Sequence, residues 1–591
     1  MRHTRSRILL GAAVAAATAL VPSVAANAVP DADAEDTVVQ RVDDRPDDQS
    51  DARRALMEQA VAKVINGEAT PVTKGKGKAV QVSPGQWAQY GLQSTDNILT
   101  FLIEFGDQID PRFPTAPAGP VHNAIPEPDR SVDDTTYWVE DFSRDHFQDM
   151  FYGGGESMTS LYREMSSGRY TVNGDTSDWV TVPFNEASYG QTESQADMTR
   201  FIQDGANAWY AQQKASGKSD AEITQYLQSF DQWDRYDYNR NGIFNEPDGY
   251  IDHFQAVHAG EGEEAGAPEW TIWSHRWSVG QRAAGGPTWN RNGGVQVGNT
   301  DFWIRDYTTE PENGGLGVFA HEFAHDLGLP DLYDTSGGEN GTGFWTLMSS
   351  GSWMGHGEDT IGTTPNHMGA WEKLQLGWLD YATVAHDQAA TLMLGPSMHA
   401  NKKGQALIVT LPKDANGRDR YYIAENRQYA GYDSTLRVGP YNFGWLETRP
   451  NWVEHFPYQD GLLISYWNTA VSNNNTRTHP GTGRILPIDA RPGALRWSDD
   501  TVARNRIQSF DATFGVERTD PISLHRETGA DMTTLDVPAQ APVTTFNDSD
   551  PNRYYDAANP MGSVKVAGAG VTIKVVQSNS TGKMTVEVNG G

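Results

Sequence analysis

Residues 317–331 read GVFAHEFAHDLGLPD, and this stretch decides how the chain is organised. Its apolar residues recur at the spacing of one helical face, which predicts a helix with that face in a hydrophobic core. His321 and His325 lie one turn apart on the other face, so both imidazoles can reach one metal ion. Gly328 is suited to end the helix in a left-handed conformation, which turns the chain back and places Asp331 to give a third ligand.

This spacing predicts a catalytic zinc site. Zinc catalysis needs three protein ligands and an open fourth coordination position. Glu322 lies beside the ligands as the acid that can take a proton from the attacking water. Asp334 is a second candidate for the third ligand. The alternative is a surface helix whose His and Glu side chains are only solvated, and it is disfavoured because helix pattern, ligand spacing and turn agree.

The composition limits the classes of function. A chain of 591 residues is too long for one core, so about two to four domains are expected. The formal net charge of −31 argues against nucleic acid and anionic membrane surfaces as partners. The absence of cysteine excludes disulfides, thiolate ligands and a cysteine nucleophile.

Residues 1–28 are typical of a secretory signal peptide. Arg2, Arg5 and Arg7 form a basic start. The apolar run Ile8–Val21 follows, and Ala26-Asn27-Ala28 offers a cleavage site between small residues. The run is too short to span a membrane. We therefore expect a secreted, extracellular protein.

Residues 29–94 are predicted to form a pro-segment. The part up to about residue 50 is acidic and poor in large apolar side chains, which is typical of disorder. Ser50 is suited to begin a short helix that ends at Asn66-Gly67. The basic, glycine-rich stretch Lys74–Lys78 is a natural place for a protease to cut. With no cysteine available, an acidic side chain of this segment can occupy the open zinc position until that cut. The alternative is an ordinary disordered spacer.

Residues 95–385 are predicted to form the catalytic region. Ile98–Phe105 has the composition of a buried strand, and residues 195–213 carry an apolar stripe typical of a helix behind a central sheet. Trp270–Trp277 alternates well enough for a strand that can pair with an extended substrate. We expect His275 within it to be a hydrogen-bonded structural residue rather than a metal ligand.

Two further elements complete this region, and a β-rich part follows. Phe344–Gly351 is a tight apolar turn carrying Met348, a thioether suited to lie beneath the zinc site. Asn366–Leu376, opened by a proline and closed by a glycine, is predicted to be the last helix. Residues 386–591 alternate short strands with turns, which predicts one or two β-sandwich modules. The predicted strands are Gln405–Leu411, Tyr421–Arg427, Gly461–Trp467, Val564–Val575 and Met584–Val588.

Residues 237–248 match the oxygen-ligand spacing of a calcium loop. Asp, Asn and Asn stand at positions one, three and five, and a glycine at position six allows a sharp turn. The twelfth residue is Asp rather than the longer Glu, and no helix pair is predicted to flank the loop. We therefore expect a structural calcium site held by Asp237, Asn239, Asn241, Ile243 (through its carbonyl) and Asp248. The alternative is a turn without metal.

Residues 321–334 (HEFAHDLGLPDLYD) and 347–353 (LMSSGSW) resemble the immune inhibitor A family of secreted metalloproteases. The stretches 131–142, 179–190, 249–253 and 456–487 are similar to that family too. The resemblance implies an α+β multidomain protein. Its metzincin-like zinc endopeptidase domain would have a mixed sheet with backing and active-site helices, preceded by a pro-segment and followed by β-sandwich-like modules.

The same resemblance implies one catalytic zinc ion, one or more structural calcium ions, and protein or peptide substrates. We expect a monomer without nucleic-acid or membrane partners. Two departures from the metzincin pattern stand out: Asp331 replaces the usual third histidine, and no tyrosine follows Met348 by two residues.

Three other interpretations remain open. A thermolysin-like site needs a glutamate ligand further along, and the nearest candidates, Glu339 and Glu358, lie in glycine-rich loops. A secreted non-catalytic zinc- and calcium-binding adhesion module would not need Glu322 as a base. A metalloesterase or amidase would use the same site on non-protein substrates.

Overall fold

The computed structural model describes residues 42–190, 194–280, 285–337, 341–357, 360–399, 404–445, 448–528 and 531–591. The predicted signal peptide, residues 29–41, Glu339 and Glu358 lie outside this part of the chain. No helix in the described part is both long and apolar enough to cross a membrane.

The predicted pro-segment folds into one helix and a small antiparallel sheet. These elements are α1 (Asp48–Ile65), β1 (Val72–Lys74), β2 (Gly77–Ser83) and β3 (Gln86–Gln89). The helix is capped by Asp47, not by Ser50, because the Asp47 carboxylate accepts the Gln49 amide at 3.2 Å. Lys74–Lys78 comprises the end of β1, the turn at Gly75-Lys76 and the start of β2, instead of a free linker.

The predicted catalytic region combines a central sheet with helices on both faces. Its elements are β4 (Thr95–Gln108), α2 (Arg144–Tyr152), α3 (Met158–Met165), β5 (Thr171–Thr176), β6 (Val180–Phe184), α4 (Gln195–Ala215), α5 (Asp220–Leu227), β7 (His253–His258), β8 (His275–Ser278), β9 (Val295–Gln296), β10 (Trp303–Ile304), β11 (Asp306–Pro311), α6 (Leu316–Leu327) and α7 (Ala370–Gln375). The predicted helix at 195–213 is confirmed as α4.

The central sheet is mixed, with the strand order β5-β4-β7-β11-β8 and β6 paired to β4. All pairs are parallel except β11 with the edge strand β8. Alternate residues of β4 enter two cores: Ile98 and Leu102 face the cluster around α6, whereas Leu99 and Phe101 face the cluster that contains α4. The buried run in the sequence is therefore a strand covered on both faces.

Helix α6 lies in the larger of these cores, and every one of its residues is buried. Its Phe319 ring packs edge-on against Phe151, with 4.9 Å between ring centroids. The Tyr162 hydroxyl donates to the Ala320 carbonyl at 2.6 Å. A solvated surface helix is therefore wrong for this stretch, since the polar residues of α6 also lie inside the protein.

The region after residue 380 is built from β-sheets. Its elements are β12 (Tyr381–Ala385), β13 (Ala390–Leu394), β14 (Ala406–Thr410), β15 (Arg420–Arg427), α8 (Thr435–Val438), β16 (Tyr441–Asn442), β17 (Glu454–His455), β18 (Gly461–Asn468), β19 (Ile485–Pro487), α9 (Asn505–Gln508), β20 (Ile522–Thr528), β21 (Asp531–Val537), β22 (Thr545–Asn547), β23 (Thr572–Ser578) and β24 (Met584–Asn589). The five-stranded sheet β12-β14-β15-β18-β19 and the four-stranded sheet β13-β24-β23-β22 contribute to one hydrophobic core.

Three predicted elements are shorter than expected, because their backbone groups find partners elsewhere. The strand predicted at Trp270–Trp277 starts only at His275, since the Ser274 amide donates to the Glu264 carboxylate at 3.0 Å. The helix predicted at Asn366–Leu376 is confined to α7. The last predicted long strand, Val564–Val575, begins only at Thr572.

The shortening of α7 has a local cause. The amide of His367 donates to the Asp433 carboxylate at 3.0 Å, and that of Met368 points to the Met165 sulfur at 3.4 Å. These contacts fix residues 366–369 outside the helix and tie them to the β-rich region and to α3.

Candidate metal centre

The turn after α6 returns the chain to the helix face that carries the histidines. Gly328 ends α6 with a φ of 110°, a left-handed conformation that glycine adopts without strain. The amide of Leu329 then donates to the Ala324 carbonyl at 3.1 Å. The predicted helix end at Gly328 is confirmed, and Asp331 lies beside both histidines as a result.

Three side-chain atoms converge at this point. The Nε2 atoms of His321 and His325 lie 3.0 Å apart. The Asp331 Oδ1 atom lies 3.3 Å from the first and 3.1 Å from the second. Tetrahedral ligands bound to zinc at 2.0–2.2 Å are separated by about 3.3 Å, so the three atoms have the spacing of a zinc site.

Hydrogen bonds on the far side of each imidazole hold this arrangement. His321 Nδ1 lies 2.9 Å from the Leu347 carbonyl, and His325 Nδ1 lies 2.8 Å from the Leu329 carbonyl. These bonds direct both Nε2 atoms to the metal position, as outer partners do in metal sites. Asp331 Oδ1 is buried without a well-directed hydrogen bond in the described structure. Such an orphaned oxygen between two imidazoles fits a cation.

The electrostatics of the three residues agree with this interpretation. Burial lowers the pKa of His325, but the neighbouring Asp331 carboxylate outweighs it and raises the pKa to about 9. The pKa of Asp331 is held well below its usual range, because both histidines outweigh the effect of its burial. In the absence of a metal ion, a proton on His325 supplies the positive charge that faces the Asp331 carboxylate. A bound cation would supply that positive charge instead.

Glu322 lies at the same site but is not part of the triangle. It is 1% exposed, and its Oε2 atom has no hydrogen-bond partner among the described residues. Burial, and then the Asp43 and Glu310 carboxylates, raise the pKa of Glu322 well above its usual range. The group is placed to exchange a proton in a buried environment.

The turn that carries Met348 lies against the same core. Met348 is fully buried in the hydrophobic cluster that contains the apolar side of α6. The carbonyl that orients His321 belongs to the preceding residue, Leu347. The turn therefore supports the metal centre through packing and through one backbone hydrogen bond.

A carboxylate from the predicted pro-segment enters this site, and the sequence did not single it out. Asp43 Oδ2 lies 3.8 Å from His321 Nε2, and Asp43, His321 and Glu322 offer ligand atoms within 4.8 Å of one another. Tyr333 donates to Asp43 Oδ2 at 2.6 Å, and Trp273 Nε1 donates to Oδ1 at 2.5 Å. An aspartate in a polar stretch has no periodicity that marks it, so only the fold reveals this contact.

Asp334 has a different role from Asp331. Its carboxylate accepts the amides of Ser336 and Arg477 at 2.9 and 2.7 Å. The Asn474 side chain donates to the Leu332 carbonyl at 2.8 Å. The loop after the third candidate ligand is thus held by residues of the β-rich region, which sequence reasoning also missed. His275, by contrast, bonds the Trp273 carbonyl and the Tyr307 hydroxyl at 2.6 and 2.7 Å, as expected of a structural histidine.

The predicted calcium loop forms a tight turn. Asp237 Oδ1 accepts the Gly242 amide at 2.9 Å, and Ile243 donates its amide to Asn241 Oδ1 at 2.5 Å. The side-chain amide of Asn239 donates to Glu246 Oε1 at 2.5 Å. The loop thus brings together the carboxylates of Asp237 and Glu246 and the side-chain amides of Asn239 and Asn241.

Further carboxylates crowd the base of this loop. Burial raises the pKa of Asp231 and of Asp234 to about 6. Burial, together with those two carboxylates, raises the pKa of Asp248 well above its usual range.

Comparison with known proteins assigns the chain to a family. The model of the immune inhibitor A peptidase M6 catalytic domain matches residues 85–379. The model of the immune inhibitor A-like metallopeptidase VEG domain matches residues 415–587. The chain belongs to the immune inhibitor A family. The resemblance seen in the sequence is confirmed, and the metal centre described above lies inside the M6 peptidase match.

Two known proteins are similar to this chain over long stretches. "Immune inhibitor A" of Bacillus thuringiensis subsp. alesti is 35% identical over 318 residues, which cover 50% of this chain and 42% of that protein. "Pre-pro-metalloprotease PrtV" of Vibrio cholerae serotype O1 (strain M66-2) is 32% identical over 510 residues, which cover 76% of this chain and 50% of that protein. The chain thus spans half or less of the length of these relatives.

The geometry separates the two aspartates that the sequence left as candidate ligands. We expect Asp331→Ala to lower zinc affinity by at least about 100-fold, since losing an outer partner alone costs 10–100-fold. Asp334→Ala is the matched control, because its carboxylate bonds backbone amides instead. Zinc content after dialysis against a graded chelator measures the difference. Equal losses in both variants, or a larger loss in Asp334→Ala, would contradict the assignment.

Proposed function

We propose that the chain is a secreted zinc endopeptidase of metzincin type that hydrolyses extracellular proteins. The observation that carries this proposal is the triangle of His321, His325 and Asp331, with the buried acid Glu322 beside it, whose Oε2 atom has no hydrogen-bond partner among the described residues. The M6 peptidase match supports peptide hydrolysis. A non-catalytic adhesion module would have no use for a buried acid at this position.

The residues of the chain divide the work in a simple way. A zinc ion held by the triangle would polarise the scissile carbonyl and make water a stronger nucleophile. Glu322 accepts the proton of the attacking water and delivers it to the leaving amine. The burial that raises the pKa of Glu322 favours its protonated form, which is the form that donates in the second step.

Two donors at the site suit the substrate carbonyl. Tyr333 and Trp273 both hydrogen-bond the Asp43 carboxylate. Because a carboxylate and a hydrated peptide group both place two oxygens on one carbon, these donors would face the substrate oxygens once Asp43 leaves. Tyr333 thus offers the phenol that the sequence does not place after Met348.

We further propose that residues 29–94 are a pro-segment that keeps the site latent through Asp43. The backbone of residues 43–45 pairs with Arg276 of the edge strand β8, where an extended substrate would bind. The printed name of the Vibrio cholerae relative includes "pre-pro", which supports a removable segment. The remaining division proposed is a signal peptide at 1–28, a catalytic domain at 95–385 and a β-rich region at 386–591.

A structural calcium ion in residues 237–248 completes the proposal. The hydrogen bond from the Gly242 amide to Asp237 closes the sharp turn that such loops need. The carboxylates of Asp234, Asp237, Glu246 and Asp248 crowd this loop, and a divalent cation would relieve their repulsion. Asp237, Asn239, Asn241, Ile243 and Asp248 remain the proposed ligands.

The base role of Glu322 can be tested apart from metal binding. We expect Glu322→Gln to lower the rate of casein hydrolysis by about 10²–10⁴-fold, the contribution of a general base. One zinc per chain should remain bound, since Glu322 is outside the triangle. Casein assays and metal analysis on the same sample measure both. Hydrolysis at the rate of the unmodified protein would refute the mechanism.

If Asp43 keeps the uncut chain inactive, then replacing it should give an uncut chain with measurable activity. Asp43→Asn should raise the activity of the uncut chain at least about tenfold, because an amide binds a metal cation less well than a carboxylate does. Asp48→Asn is the control, since Asp48 is exposed in the first turn of α1. Mass spectrometry verifies that each chain is uncut before the assay. An Asp43→Asn proenzyme as silent as the control would rule out this device.

Calcium should stabilise the folded state by mass action. At a concentration 100 times Kd, the gain in unfolding free energy is about 2.7 kcal/mol, which raises the melting temperature. Asp237→Ala should erase this gain, whereas Asp301→Ala, an exposed aspartate outside the loop, should keep it. Melting curves of chelator-treated protein with and without calcium provide the test. A melting temperature indifferent to calcium would disprove the site.

A further inference from the structure

Residues 43–47 follow the edge of the central sheet away from the metal centre. The Arg276 amide donates to the Asp43 carbonyl at 2.8 Å, and the Arg45 amide donates to the Arg276 carbonyl at 3.0 Å. Trp277 Nε1 donates to the Pro46 carbonyl at 3.1 Å. This stretch therefore occupies successive positions along β8, beginning at the metal centre.

The stretch ends on a buried ion pair with the catalytic region. Both carboxylate oxygens of Asp47 accept from Nη2 of Arg305, at 3.0 and 3.1 Å. Arg305 is 2% exposed and precedes β11, the neighbour of β8. Its carbonyl accepts the Val279 amide at 2.8 Å, which fixes it just beyond the end of β8. Asp47 thus lies four residues after Asp43, the residue of the same stretch that lies at the candidate metal centre.

Arg305 also has a carboxylate partner in the predicted catalytic region, Asp306, which accepts from Nη1 rather than from Nη2. The guanidinium groups of Arg235, Arg276 and Arg305 all bond Asp306, at 3.3, 2.6 and 2.9 Å. Asp326 is the second acceptor, 2.8 Å from Arg235. Three arginines therefore share these two carboxylates. Among the described residues, the acceptor for Arg305 Nη2 is Asp47 of the predicted pro-segment.

We infer that Arg305 forms a substrate subsite for an acidic side chain, three to five residues from the scissile bond, on the side of the cleft where residues 44–47 lie. The inference rests on the proposed endopeptidase function and on removal of the pro-segment. Once Asp47 leaves, Arg305 Nη2 can bind another acceptor at the position that Asp47 now occupies, next to the end of β8. An Asp or Glu of an extended peptide restores the charge-assisted hydrogen bonds that Asp47 makes here.

The primary test is a peptide-library digest with the matured protein, scored at every position around each cut. We expect Asp and Glu to be enriched at one position three to five residues from the cut. In a matched pair of peptides, Asp→Asn at that position should lower kcat/KM about tenfold, as for a charge-assisted hydrogen bond. The loss should appear in KM with kcat nearly unchanged, because the contact is remote from the reacting atoms.

Variants of the enzyme separate recognition from general damage. Arg305→Gln should make the two peptides equal substrates, and Arg305→Lys should keep part of the preference. Arg144→Gln is the control, since Arg144 pairs with Asp175 on β5, the opposite edge of the same sheet, at 2.8 Å. A preference that persists unchanged in Arg305→Gln, or is absent from the unmodified enzyme, would overturn the inference. Failure to cut any peptide with zinc bound would instead refute the proposed function.

A second measurement leaves the enzyme unchanged and so avoids any folding defect of a variant. A synthetic peptide of residues 42–50 (VDDRPDDQS) should inhibit the matured enzyme. Replacing its Asp47 by Asn should weaken inhibition about tenfold, and replacing Asp48, which is exposed, should not. Equal inhibition by all three peptides would contradict the subsite.

Discussion

The structure depends on one constraint, which is that three candidate ligand atoms lie within the interior at about 3 Å from one another. Two of them come from adjacent turns of α6, whose residues are all buried. The third depends on the left-handed Gly328, because this turn brings the chain that carries Asp331 back to the helix. The carbonyl groups of Leu329 and Leu347 then fix the imidazoles, so the turn after α6 and the turn around Met348 are both bound to the same point.

The sequence predicts the elements whose determinants are local. Helix α6, its end at Gly328 and the convergence of Asp331 follow from spacing and from one glycine. The buried strand β4 and the helix α4 follow from apolar periodicity. These features need no knowledge of distant residues, and the structure reproduces them with changes only at their ends.

Contacts between distant parts of the chain are what the sequence leaves open. Nothing near Asp43 indicates that it meets His321, because the two residues are 278 positions apart. The helix α7 is shorter than its proline and glycine suggest, since Asp433 of the β-rich region takes the amide of His367. Asp334 looked like a fallback ligand by spacing alone, yet its carboxylate serves the backbone of Arg477. In each case a tertiary hydrogen bond overrides a local preference.

The anchoring of α1 has a consequence for how activity would arise. Besides its contacts with the predicted catalytic region, such as that of Arg54 with the Gly328 carbonyl, the helix is held by the β-rich region: Glu58 accepts from Trp467 at 3.2 Å, and Asn66 donates to Asp419 at 3.1 Å. Cutting the turn at Lys74–Lys78 breaks none of these bonds. The cut fragment would remain bound as a separate molecule. Its release would then follow a binding equilibrium between the fragment and the rest of the protein. Activation would then depend on dilution and on degradation of the fragment. The cut protein would remain inhibited at high concentration and become active when diluted.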